Sequence, residues 1–189
     1  MLTLLIGGAR SGKSRFAESL CAHSKRVAYI ATAQIQDREM AARVARHRQD
    51  RPANWLTIEE PLSVDIALRQ AAKNCDVLLV DCLTVWLSNL LYHHRRCTAS
   101  KIERIALSSA DAIAGAAPSR HVILVSNEVG SGIVPTTKVA RLFRDLQGLV
   151  NQRVAISADQ VFLLVAGIPL QIKPARFVHP FMESSRYAF

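Results

Sequence analysis

A lysine and a serine stand side by side at positions 13 and 14, directly behind Gly7-Gly8-Ala9-Arg10-Ser11-Gly12. The spacing is G-x-x-x-x-G-K-S, and each part of it has a chemical reason. Small residues let successive backbone N–H groups turn inward around the α- and β-phosphates, where a Cβ would crowd the anion. Lys13 reaches the β/γ-phosphates, Ser14 offers a hydroxyl to Mg²⁺, and the helix that follows aims its positive end at the site. The flanks meet the motif's requirement, since Leu4–Ile6 form an apolar strand ahead of it and Phe16, Ala17 and Leu20 give the helix an apolar face. The chain is read as binding a nucleoside triphosphate.

Two further groups of residues carry chemistry. Val77-Leu78-Leu79-Val80-Asp81 is an apolar strand ending in a carboxylate, which suits a site holding Mg²⁺ beside the phosphate loop. The competing role is helix capping, for which both Asp81 and Thr84 qualify. The segment from Asp37 to Pro52 crowds Arg38, Arg43, Arg46, Arg48 and Arg51 around His47. At helical spacing Met40, Arg43, Val44 and His47 share a face, with Arg46 and Arg48 flanking the histidine. Clustered cations disfavour imidazolium, and a neutral imidazole is a nucleophile against which guanidiniums would hold a triphosphate. A solvated arginine-rich helix with an incidental histidine explains the same residues. Ser126-Asn-Glu-Val-Gly-Ser-Gly-Ile-Val-Pro135 follows another apolar strand, with Gly130 and Gly132 expected to allow close backbone approach. Trp55, Thr57 and Glu59 alternate onto one side of a short strand.

Strands must carry these groups to a common edge. Helical runs are expected at Lys13–His23, Asp37–Gln49, Val64–Ala72, Leu83–Tyr92, Ile102–Ala114 and Lys138–Val154. Strands are expected at Val27–Thr32, Trp55–Glu59, Val77–Asp81, Val122–Ser126 and Val161–Ala166, the last taken as the final clear one. Near-continuous β-branched runs alternating with helices predict an α/β fold with a mostly parallel sheet covered on both faces. Right-handed crossovers then bring the C-terminal strand ends to one ligand-binding edge. The expectation is a single domain over residues 1–173, with a tail over 174–189 of no assigned role.

Composition narrows the partners. The 189 residues carry a net charge of +9, and arginine supplies 18 of the 24 basic residues. The planar guanidinium fork pairs with phosphate oxyanions better than lysine does. No aromatic-interleaved basic strand or Gly-Arg tract accompanies the arginines, which argues against nucleic acid. No run approaches the roughly 20 apolar residues of a membrane span, so stable membrane insertion is not expected. The first apolar run is read as a strand, not a signal peptide. Cys21, Cys75, Cys82 and Cys97 lack metal-ligand or disulfide-framework spacing, which fits a reducing cytoplasm.

Taken together, these segments resemble the bifunctional adenosylcobinamide kinase/adenosylcobinamide-phosphate guanylyltransferases of cobalamin synthesis. The resemblance rests on Gly7–Ser14, Ile30–Ala33, Glu39 to Trp55 with His47 and Arg48, Val80–Thr84, Trp86–Leu91, Asn127–Pro135 and Ala140 to Asn151-Gln152, and reaches Ala166-Gly167. It implies a RecA-like P-loop fold, a homotrimer, and two reactions with ATP and GTP as substrates. These are phosphorylation of the adenosylcobinamide hydroxyl and GMP transfer from GTP to the resulting phosphate. It implies that His47 is the guanylylated residue. It places nucleotide contacts on Gly7, Gly8, Ala9, Arg10, Ser11, Gly12, Lys13, Ser14, Ala31, Thr32, Ala33, Arg48, Gln49, Asp50, Arg51, Glu59 and Asp81. Mg²⁺ would rest on Ser14 and Asp81. The rivals are a simple small-molecule P-loop kinase and a RecA-like, nucleic-acid-stimulated ATPase.

Overall fold

A computed structural model describes residues 1–34, 52 and 54–174. The chain runs β1 (Leu2–Gly7), α1 (Lys13–Cys21), β2 (Val27–Ala31), β3 (Leu56–Glu59), α2 (Val64–Ala71) and β4 (Val77–Asp81). It continues through α3 (Leu83–His93), α4 (Ala99–Ala114), β5 (His121–Asn127), α5 (Lys138–Ser157), β6 (Gln160–Val165) and β7 (Ile168–Lys173). The seven strands form one sheet in the order β3-β2-β4-β5-β1-β6-β7, parallel except for β7. The expected α/β fold with a mostly parallel sheet is therefore the one observed. The phosphate-loop strand β1 and the Asp81 strand β4 are not neighbours; β5 lies between them.

Each central strand is buried on both faces, which is why its sequence shows an apolar run in place of alternation. Leu5, Tyr29, Leu79, Ile123, Val125 and Leu164 pack with Ala17 and Cys21 of α1 on one face. Leu4, Ile30, Leu78, Val80 and Leu124 face the other way, against Leu68, Trp86, Leu87, Ile113, Leu146 and Val150 of α2–α5. Phe16 and Phe162 meet edge to face at 5.4 Å, seating α1 on β6.

Two sequence expectations need correction. The strand over Val161–Ala166 is not the last: β7 follows it as an antiparallel hairpin partner, with Val165 paired to Ile168. The connecting residues Ala166 and Gly167 both have positive φ, 52° and 82°, the backbone a two-residue hairpin demands. Alanine is a poor signal for that turn, and Pro169 argues against a strand except at an edge, where β7 lies. The helix expected from Ile102 starts earlier, at Ala99, because Thr98 caps it by accepting from Lys101 N–H.

Candidate functional site

Gly7 closes β1 and leaves no room for a side chain. A Cβ there would lie 2.5 Å from the Leu164 carbonyl oxygen and 2.6 Å from Ser11 Oγ. The expected reason for glycine was the anion; here the crowding comes from β6 and from the loop itself. Gly12, at φ 95°, has the backbone that disfavours any other residue, and its Cβ position faces Gly167 Cα at 3.0 Å. Gly167 N–H also donates to Ser11 O at 3.0 Å. The β6–β7 turn thus props the phosphate loop from behind, a role the sequence reading missed although Ala166-Gly167 belonged to the resemblance.

Lys13 is buried, with its ammonium 2.9 Å from Gly7 O, 2.6 Å from Gly8 O and 3.3 Å from Ser11 Oγ. Burial pulls its pKa down, opposed by the nearby Cys82 and Asp81. An ammonium that has lost water and touches only neutral oxygens gains from an anion brought to the loop. The first turn of α1 holds no acidic residue, and Gly12 gives it no side-chain cap, so its N–H groups also face the loop without a competing anion.

From the start of α1, Ser14 Oγ donates to Asp81 Oδ2 at 3.1 Å, spanning the end of β5 to join the loop to β4. Tyr29 Oη donates to the same oxygen at 2.9 Å. Tyr29 was not singled out, although it alternates with Ala31 and so shares Asp81's face. Neither capping alternative is realised: α3 has Cys82 at its N-cap with no side-chain bond, and Thr84 Oγ1 instead accepts from Asn127 N–H at 2.8 Å. Burial and the Asp81 charge push the Cys82 thiol up to about 11, so a cysteine two strands from the phosphate loop is no nucleophile at neutral pH.

The end of β2 belongs to the same edge. Ala31 is paired with Glu59 on one side and Asp81 on the other, which sets the two carboxylates at one level, about 10 Å apart across two strand spacings. Thr32 is fully buried, and its hydroxyl donates to Cys82 O at 2.8 Å and accepts from Cys82 N–H at 2.9 Å. Its side chain is a stitch between β2 and β4, leaving Ala31 and Ala33 as the more open members of that segment. Asn89 Nδ2 holds the Thr32 carbonyl at 2.8 Å.

Beyond β5, Glu128 N–H donates to Gly7 O at 3.0 Å, which places the Asn127–Pro135 loop against the phosphate loop. Glu128 Oε1 accepts from Gly130 N–H at 2.6 Å. Open space surrounds the Cβ position of Gly132, with nothing among the described residues within 4 Å. Among the described residues no group of three His, Cys, Asp or Glu side chains could hold a metal. His47, Arg48, Gln49, Asp50 and Arg51 lie outside the described residues.

A glycine-rich loop between a central parallel strand and a helix, with a buried lysine and a serine–aspartate contact at the same edge, defines a nucleotide-binding protein of the P-loop class. The chain belongs to the cobinamide kinase / cobinamide phosphate guanyltransferase family, whose model matches residues 3–172. It is 47% identical over 176 residues to the bifunctional adenosylcobalamin biosynthesis protein CobP of Pseudomonas aeruginosa, covering 92% of this chain and 98% of that one. The corresponding CobU proteins of Salmonella typhimurium and Escherichia coli are 44% and 42% identical over 182 residues, each covering 92% of this chain and their own full length. The P4 protein of bacteriophage phi6 in complex with ADP is a far looser structural likeness, with 15% identity and a TM-score of 0.45 over 89% of this chain and 52% of that one. Membership bears out the expected enzyme class, a kinase and guanylyltransferase of cobalamin biosynthesis.

Proposed function

We propose that a single nucleotide site at this sheet edge serves both reactions. Supporting it most directly is the Ser14–Asp81 contact of 3.1 Å, which joins the phosphate loop to the carboxylate at the end of β4 across β5. In the first reaction the γ-phosphorus of ATP or GTP passes to the hydroxyl of adenosylcobinamide, and the nucleoside diphosphate leaves. Positioning and charge stabilisation dominate such a step. In the second, His47 attacks the α-phosphorus of GTP, pyrophosphate departs, and a histidine–GMP phosphoramidate forms. The corrinoid phosphate then displaces histidine to give adenosylcobinamide-GDP. Arg48 and Arg51 would meet the charge that develops on phosphate oxygens, with Gln49 and Asp50 alongside in the nucleotide-contacting segment.

Ser14 and Asp81 suit Mg²⁺, because a hydroxyl and one carboxylate within hydrogen-bond distance are hard oxygen donors that leave the remaining positions to phosphates and water. Held there, the ion would supply positive charge against that of the phosphates. Asp81→Asn is expected to raise the Mg²⁺ concentration for half-maximal turnover about tenfold, with nucleotide affinity in the absence of metal little altered. An unchanged Mg²⁺ titration would assign Asp81 to holding Tyr29 and Ser14 only.

Glu59 is the proposed base-reading residue. A carboxylate accepts from guanine N1–H and N2–H₂, a donor pair adenine lacks. Glu59→Gln should weaken GTP binding about tenfold or more while ATP binding changes little; equal losses for both nucleotides would reject base reading.

A homotrimer fits the exposed apolar side chains of the β6–β7 hairpin, with Val165 at 58%, Ile168 at 70% and Leu170 at 56% exposure. Light scattering at the monomer mass would remove it. Among the described residues no helix is long and apolar enough to cross a membrane.

The decisive assay is incubation with α-labelled GTP, followed by denaturation. Acid-labile label on the protein supports the bifunctional reading. A simple kinase takes none, and a nucleic-acid-stimulated ATPase would instead show hydrolysis that rises with added polynucleotide and binding that weakens steeply with salt.

A further inference from the structure

The last residue of β5 occupies a place that neither reaction has yet used. β5 lies between β1 and β4, and its register pairs Asn127 with Gly7 on one side and Val125 with Asp81 on the other. Asn127 therefore stands one pleat beyond Asp81, on the same sheet face and beside the first residue of the phosphate loop. That is the notch between the Lys13 loop and the Ser14–Asp81 contact.

An unusual amount of polar structure fixes this residue. Its N–H donates to Thr84 Oγ1 at 2.8 Å, and its carbonyl accepts from Asn151 Nδ2 at 3.0 Å. Asn151 Oδ1 in turn accepts from Ser126 Oγ at 2.6 Å and from Gln147 Nε2 at 3.1 Å, while Gln147 Nε2 also reaches Ser126 Oγ at 2.9 Å. Ser126 and Gln147 are completely buried and Asn151 nearly so, yet Gln147 Oε1 has no partner among the described residues. Apolar residues of similar size would pack under a strand end at lower cost than a partly satisfied amide cluster. Both backbone groups of Asn127 are thus held by side chains from α3 and α5. Its own side-chain amide makes no hydrogen bond among the described residues and is only half-buried.

We propose that Asn127 is a catalytic residue of the phosphoryl-transfer step. Its Nδ2–H donates to a non-bridging oxygen of the γ-phosphoryl group as that group moves to the corrinoid hydroxyl. Thr84, Gln147 and Asn151 are positioning residues that hold Asn127 in the notch. No bond to Asn127 forms or breaks; the amide is a fixed neutral donor aimed where charge shifts between oxygens. The assignment rests on the shared-site reading above. It adds an asymmetry to it, because a donor at the γ-phosphoryl group serves the kinase directly, whereas GMP transfer takes place at the α-phosphorus.

The test compares the two half-reactions in the full-length enzyme. Asn127→Ala should lower kcat for corrinoid phosphorylation about 10²-fold, as loss of one fixed donor does elsewhere, with KM for nucleotide changed by less than about threefold. Covalent labelling by α-labelled GTP should stay within about threefold of wild type. Asn127→Asp, which keeps the shape and replaces the donor by an anion, should lose at least as much kinase activity. Asn151→Ala should also lower kinase kcat, and the Asn127→Ala/Asn151→Ala double variant should be no slower than Asn127→Ala alone. Thermal unfolding of each variant shows whether it is folded. If Asn127→Ala and Asn127→Asp both keep wild-type kinase kcat, or lose labelling in parallel with it, the catalytic assignment is overturned. Multiplicative losses in the double variant overturn the positioning role. The shared-site reading fails by a different result, wild-type enzyme that takes no GMP label.

Discussion

Lys13→Ala is expected to abolish phosphorylation and GMP transfer together, each by about 10²- to 10³-fold or more. The reason is electrostatic. Its ammonium is buried at the centre of the loop, held by the carbonyls of Gly7 and Gly8 and by Ser11 Oγ, and it is the one cation of the loop's buried interior. Both reactions need the triphosphate seated against that charge, whether the γ- or the α-phosphorus reacts. Removing it takes one of two donors from each carbonyl, since Gly7 O keeps Glu128 N–H and Gly8 O keeps Ser11 N–H, so the stability cost should be small beside the loss of activity. The variant should still fold, because Lys13 is a member of neither apolar cluster of the sheet. Activity and thermal unfolding measured on one preparation separate the two effects. Near-wild-type rates in either half-reaction would show that the two chemistries do not share this loop.

The phosphate loop could be read from sequence because its chemistry is local: a short apolar strand, small residues at set spacing, and Lys13-Ser14 at a helix start. Val77–Asp81 was equally legible as a strand. Its partner was not, since the Ser14–Asp81 contact crosses β5 and depends on strand order, which no local pattern records. Leu83-Thr84 looked like the start of a helix with Thr84 free to cap it; only the sheet shows that Thr84 is taken by Asn127 N–H. Tyr29 lies inside the strand expected over Val27–Thr32 and is almost completely buried, with its hydroxyl reaching the site through Asp81. Gly167 was hidden for a different reason. Its contact with Ser11 and Gly12 comes from a hairpin whose second strand carries Pro169 and exposes Ile168, Leu170 and Ile172, which weakens every period-two argument for a buried strand. The buried amides Gln147 and Asn151 sit on α5 at i and i+4, a spacing visible in the sequence. What they hold was not visible, because Ser126 and Asn127 reach them only through packing.

His47→Ala and His47→Asn should lose GMP transfer and all covalent label, while corrinoid phosphorylation survives in part. The division follows from the bonds that change. Guanylylation makes a bond from imidazole nitrogen to the α-phosphorus and breaks the one to pyrophosphate, so no rate remains by that route without the nucleophile. Phosphorylation moves the γ-phosphoryl group directly between oxygens, and under the proposed mechanism His47 would share in it only through the nucleotide it helps to seat. Cys82, next to Asp81 at the end of β4, is no competitor for the label, because its thiol stands at about 11, too high to react at neutral pH. Labelling of the wild type should fall as pH drops, since imidazolium has no lone pair for phosphorus, and the kinase rate should not fall in step with it. Mass spectrometry of the labelled protein, with the kinase assayed in parallel, is the measurement. GMP found on another residue, or undiminished label on His47→Ala, would dismiss the histidine intermediate while leaving the phosphate loop and its Ser14–Asp81 contact as the site of the kinase.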